Sequence, residues 1–129
     1  TNFEKDPLFG KTRDSMLYNK DYLGDNDPTN EYISPLFGDY EGFPPLLIQV
    51  GSYEMLLSDS TRVAKKAKEA GGKVKLSIYE GMFHVFQMAM LLMPESKKAW
   101  AEIKRFLHYL DAEEKEENEM QNISKEEKA

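Results

Sequence analysis

Cysteine is absent from the 129 residues. That excludes disulfides, thiolate nucleophiles and cysteine-ligated metal. It also fits a reducing compartment, and a cytoplasmic location is the expectation. No apolar run approaches the ~20 residues needed to span a bilayer, and no signal-peptide pattern is visible. Basic patches are lacking against a formal net charge of −6, which argues against a nucleic-acid partner. No internal repeat is visible. The chain opens at Thr1 without a methionine, in Asn2-Phe3-Glu4-Lys5-Asp6-Pro7, as the middle of a longer protein would.

What is present suffices for one domain. Apolar residues make up 40% and aromatics 12%, so a core can form and the composition is not that of a disordered chain. Much of the acidity sits in residues 112–129, a tail with Glu113, Glu114, Glu116, Glu117, Glu119, Glu126 and Glu127. An acidic run of this kind reads as a solvated end. Met120 and Ile123 are its isolated apolar residues.

Residues 1–45 are loop-rich, with Asp6-Pro7, Gly24, Pro28, Ser34-Pro35, Gly38, Gly42 and Pro44-Pro45. One short helix is expected from Asp14, as N-cap, to Leu23, stopped by Gly24. A loop-rich stretch this long belongs to a function or to packing on something else. Residues 46–111 read as a βαβα arrangement. Leu46 to Val50 is almost continuously apolar, as in a strand covered on both faces. Ser58 is expected to cap a helix reaching about Ala70, with Val63, Ala64, Ala67 and Ala70 on one face and Gly71-Gly72 at its end. Lys73 to Tyr79 alternates, with Val74, Leu76 and Ile78 on the side expected to be buried. Strand, helix and strand with short links form a right-handed βαβ unit with parallel strands. A short helix is expected within Val85 to Met93, its methionines packing a core. Pro94 opens a last helix whose stripe is Trp100, Ile103, Phe106, Leu107 and Leu110.

Chemistry concentrates at the ends of the two strands. The first ends in Gly51-Ser52-Tyr53-Glu54, the second in Glu80-Gly81-Met82-Phe83-His84. Strand ends are where open α/β sheets place ligands. His84 is the candidate base; His108, beside Lys104 and Arg105, reads as solvated. A histidine base needs a carboxylate to fix its tautomer and stabilise the imidazolium. Glu54 and Asp59 are the candidates. Asp59 has a structural explanation in a helix's first turn. Glu54, in the loop, has none. Ser52, Ser58 and Ser60 stand in no Gly-x-Ser-x-Gly motif, and that motif occurs nowhere in the chain.

Several segments together carry a resemblance: Ile33-Ser34-Pro35-Leu36-Phe37-Gly38-Asp39, Phe43 to Glu54, Ser58 to Ala64, and Gly81-Met82-Phe83-His84-Val85-Phe86. In order and spacing they resemble the C-terminal portion of an α/β hydrolase of the hormone-sensitive-lipase-like esterase family. The resemblance implies the α/β-hydrolase fold, with acid before histidine in chain order. It implies Glu54 in the acid position, where aspartate is commoner, and His84 as general base. The implied substrate is a small acyl ester, with no cofactor and no metal. The His-Gly-Gly-Gly oxyanion segment and the nucleophilic serine would then lie upstream of Thr1, on an N-terminal half that is a partner of this piece. Alone, the chain is expected to be inactive. A homodimer would use the outer strand or the last helix. The alternatives are a non-enzymatic binding or assembly module on the same fold, and a change of chemistry to peptidase or thioesterase.

Overall fold

The computed structural model describes residues 2, 4–8 and 20–126. The chain falls into two compact units, one through Met88 and one from Ala89.

In the first unit, a helical turn α1 (Lys20–Leu23) stops at Gly24, whose φ of +55° is open to glycine without strain. The rest of the helix expected there, residues 14–19, lies outside the described residues. A 3-10 turn at Pro35–Phe37 follows. Its carbonyls are held from two directions. Tyr40 is buried and its hydroxyl donates to the Pro35 carbonyl at 2.8 Å. The Lys66 ammonium donates to the Leu36 carbonyl and lies 5.7 Å from the centre of the Tyr40 ring. These contacts seat the loop on the next helix.

Strand β1 (Leu46–Gly51), helix α2 (Leu57–Glu69) and strand β2 (Val74–Tyr79) form the βαβ unit. The strands are parallel, with Leu46 opposite Val74 and Val50 opposite Ile78. Ala64 and Ala67 are the buried residues of α2, flanked by half-buried Val63 and Ala70. Small side chains there let a helix lie close to the sheet it crosses. Gly71, at φ +85°, ends it.

Within the βαβ unit, three expectations need correction. Ser58 is not the N-cap: α2 starts at Leu57, the cap position is Leu56, and no side chain caps it. The helix begins early because the Leu57 amide already donates to the Glu54 carbonyl at 3.2 Å. Strand β1 is not covered on both faces. Val50 and Gly51 are buried but Leu46 to Gln49 are half-buried. The face expected to be buried on β2 is not: Val74 and Leu76 are half-buried and Ile78 is 51% exposed. Alternation tells which face a side chain is on. It does not tell whether another layer covers that face, and the described sheet has two strands.

A 3-10 segment, Phe86–Leu92, is broken at Met90, which sits at φ 45° and ψ −112°. Its methionines are not core residues: Met88 and Met90 are exposed. The second unit is built on one long helix, α3 (Pro94–Glu126), with Pro94 at its first position, where the missing N–H costs no hydrogen bond. Its buried residues are Ser96, Ala99 and Glu102, whereas Trp100 and Leu107 of the expected stripe are exposed. The expectation ranked positions by apolarity, but the buried positions are two small residues and a carboxylate. His108 is exposed, as are residues 114–125. No described helix is long and apolar enough to cross a membrane.

Candidate active site

The loops leaving β1 and β2 are laced together by the backbone. The Ser52 amide donates to the Tyr79 carbonyl at 2.9 Å, and the Tyr53 amide to the Met82 carbonyl at 2.9 Å. In return, the Gly81 amide donates to the Ser52 hydroxyl at 2.8 Å. The turn is possible because Gly81 takes φ +72°. It can lie this close because residue 51 has no side chain. A Cβ on Gly51 would stand 2.0 Å from the Met82 carbonyl oxygen. Two glycines and one serine hydroxyl therefore set the distance between the two strand ends.

On this frame the Glu54 and His84 side chains meet. Glu54 Oε1 lies 2.6 Å from His84 Nδ1. Its other oxygen, Oε2, accepts from the Gly51 amide at 3.1 Å, while the Glu54 amide donates to the Gly51 carbonyl at 3.1 Å. The carboxylate thus has both oxygens engaged, and its rotamer is fixed by the loop it stands on. The Glu54 side chain is 9% exposed and that of His84 25%. A short hydrogen bond to a buried carboxylate is stronger than one in water, because the surroundings polarise less. With Nδ1–H donating to Oε1, the tautomer is set and Nε2 is the basic nitrogen. The pair can accept a proton at Nε2 and hold the resulting imidazolium.

The other candidates are elsewhere. Asp59 lies in the first turn of α2 and faces Arg62 at 3.5 Å, both side chains at least half exposed. Ser58 is in the same turn, where its carbonyl accepts from the Thr61 hydroxyl. Ser52 serves the turn through its hydroxyl.

Past His84 the backbone is strained. Val85 has φ +53°, a conformation that a β-branched residue seldom adopts. The next two residues anchor it. Phe86 is fully buried, its ring 4.9 Å from that of Tyr79, and the Gln87 amide nitrogen donates to the Gln49 side chain at 3.4 Å.

Sequence reasoning missed one group. Asp6 is 3% exposed, and its carboxylate accepts from the Leu8 amide at 2.9 Å and the Met55 amide at 3.2 Å. The Asp6-Pro7 pair was legible only as a turn.

Residues 1–88 match the α/β hydrolase fold family. The chain belongs to that family. It is 47% identical over 93 residues to an esterase of Acinetobacter venetianus, a match covering 71% of this chain and 31% of that protein. It is 41% identical over 78 residues to an acetyl-hydrolase of Streptomyces hygroscopicus, covering 60% of this chain and 26% of that protein. The crystal structure of an esterase from the bacterial hormone-sensitive lipase family superposes with a TM-score of 0.74 at 40% identity. That superposition covers 82% of this chain and 35% of the other. The chain spans about a third of the length of the hydrolases it matches.

Proposed function

We propose that this α/β hydrolase chain supplies the acid, Glu54, and the general base, His84, of a serine carboxylic ester hydrolase acting on small acyl esters. The observation that carries the reading is the 2.6 Å contact between the buried Glu54 carboxylate and His84 Nδ1. The esterase and acetyl-hydrolase relatives support the substrate class. The nucleophile is a serine on the remaining two thirds of the hydrolase.

The reaction runs in two halves. The serine hydroxyl oxygen attacks the acyl carbon as its proton passes to His84 Nε2. Backbone N–H groups of the remaining segment hold the oxyanion. The tetrahedral species collapses, the C–O bond to the alcohol breaks, and the imidazolium returns the proton to the departing oxygen. Water then repeats the sequence on the acyl-serine, releasing the carboxylic acid and the free serine. Glu54 stays ionised throughout. It keeps Nδ1 protonated and opposes the charge that forms on the ring.

The test is hydrolysis of short p-nitrophenyl esters by this chain combined with the remaining segment. Glu54→Gln should lower kcat by about 10⁴-fold, the cost of losing the orienting carboxylate of a triad. An Asp59→Asn variant should turn over like the unaltered protein. The reverse pattern would move the acid to Asp59. We also propose a cytoplasmic location, with any second copy docked on the outer edge of β2 or on α3.

A further inference from the structure

We propose that Asp6 is a positioning residue for Glu54, clamping the loop that presents the acid to His84. This rests on the assignment of Glu54 and His84 as the catalytic pair.

Residue 2 and residues 4–8 lie as a strap over the loop after β1. The strap closes on itself through the Lys5 and Asp6 amides, which both donate to the Asn2 carbonyl. It then reaches the loop at three points. The Asn2 side-chain amide donates to the Ser52 carbonyl at 2.7 Å. The Lys5 ammonium stands 5.7 Å from the centre of the Tyr53 ring. Asp6 Oδ2 accepts from the Met55 amide at 3.2 Å, while Oδ1 accepts from Leu8 at 2.9 Å. Ser52, Tyr53 and Met55 are the residues on either side of Glu54, so the strap grips the acid's backbone from both directions. A carboxylate is an expensive group to bury and is kept buried only where donors satisfy it. Among the described residues, its donors include two backbone amides, one on the strap and one on the acid's own loop. Only an acceptor with two oxygens joins them. Alanine accepts from neither amide. Asparagine keeps one acceptor and turns an NH2 group toward the other N–H donor.

The measurement pairs two readouts. The first is the proton resonance of His84 Nδ1–H in this chain, which a short hydrogen bond to a carboxylate shifts far downfield. The second is steady-state kinetics of the chain combined with the remaining segment of the hydrolase. In Asp6→Ala and Asp6→Asn the Nδ1–H signal should broaden or move upfield. kcat should fall roughly 10- to 100-fold, with KM within about twofold, because a small misplacement of a catalytic group costs that much. Asp6→Glu, which keeps the two oxygens, should recover part of both. Tyr40→Phe removes the bond to the Pro35 carbonyl, away from the dyad, and controls for general loosening. It should leave the signal and kcat in place. If Asp6→Ala fails to fold, Asp6→Asn decides. An unmoved Nδ1–H signal in folded Asp6→Asn, with kcat unchanged, would overturn the proposal. If instead Glu54→Gln and His84→Ala left turnover intact, the catalytic reading would fall, whatever Asp6 does to the resonance.

Discussion

Gly51 decides the geometry at the smallest scale. Its missing side chain is what lets the Met82 carbonyl approach the end of β1. The obstacle to a methyl group there is backbone, which cannot rotate away. Gly51→Ala should therefore push the turn at 81–83 outward, destabilising the chain by about 2–3 kcal/mol and separating His84 from Glu54. Thermal unfolding and the His84 Nδ1–H resonance check both effects. A variant as stable as the parent, with the resonance unmoved, would show that the turn has slack. Ser52→Ala should be milder, leaving the Gly81 amide without its acceptor at a cost of about 1–2 kcal/mol, read in the same unfolding experiment. At this scale the pairing of Glu54 with His84 was legible, because each follows a strand and a carboxylate and an imidazole there can meet. Asp6 was not. A buried carboxylate and a turn-forming one look the same in a sequence, and here the difference lies in the Met55 amide, 49 residues away.

Among the elements, the segment after His84 carries the strain. Val85 holds φ +53° although it is β-branched, at a cost of about 1–3 kcal/mol. Buried Phe86 on one side and the laced turn on the other keep it there. Val85→Gly relieves the strain but adds about 0.5–1 kcal/mol of unfolded-chain entropy. The net expectation is a chain about 1 kcal/mol more stable, visible as a rise in Tm of several degrees. A fall in Tm would mean that the valine side chain contributes more than its backbone costs. Element identities came through the sequence well, because alternation in β2, the alanine face of α2 and the glycines that end both helices each have one local cause. The start of α2 did not. Ser58 has the right chemistry for a cap, yet the helix begins at Leu57 because the Glu54 loop delivers a carbonyl to the Leu57 amide first. Likewise Ile78 follows its alternation, but its exposure depends on what layer lies over the strand.

For the whole molecule, the half-buried β1 and the exposed Ile78 leave apolar surface uncovered in a two-stranded sheet. Exposed apolar faces bind hydrophobic dyes and one another. The 129-residue chain by itself should enhance the fluorescence of such a dye, and the remaining segment should abolish that enhancement on binding. Dye-silent, monomeric chain would mean that the sheet is covered as it stands. The central claim is that Glu54 and His84 belong to one catalytic machine whose nucleophile is elsewhere. Its most direct test is kcat/KM on short p-nitrophenyl esters for three samples: the chain alone, the chain with the remaining segment, and the His84→Ala chain with that segment. The first should show no turnover above buffer, the second should hydrolyse ester, and the third should lose at least about 10³-fold relative to the second, since triad members act as a unit. Turnover by the chain alone that survives His84→Ala would place the chemistry outside the Glu54–His84 pair.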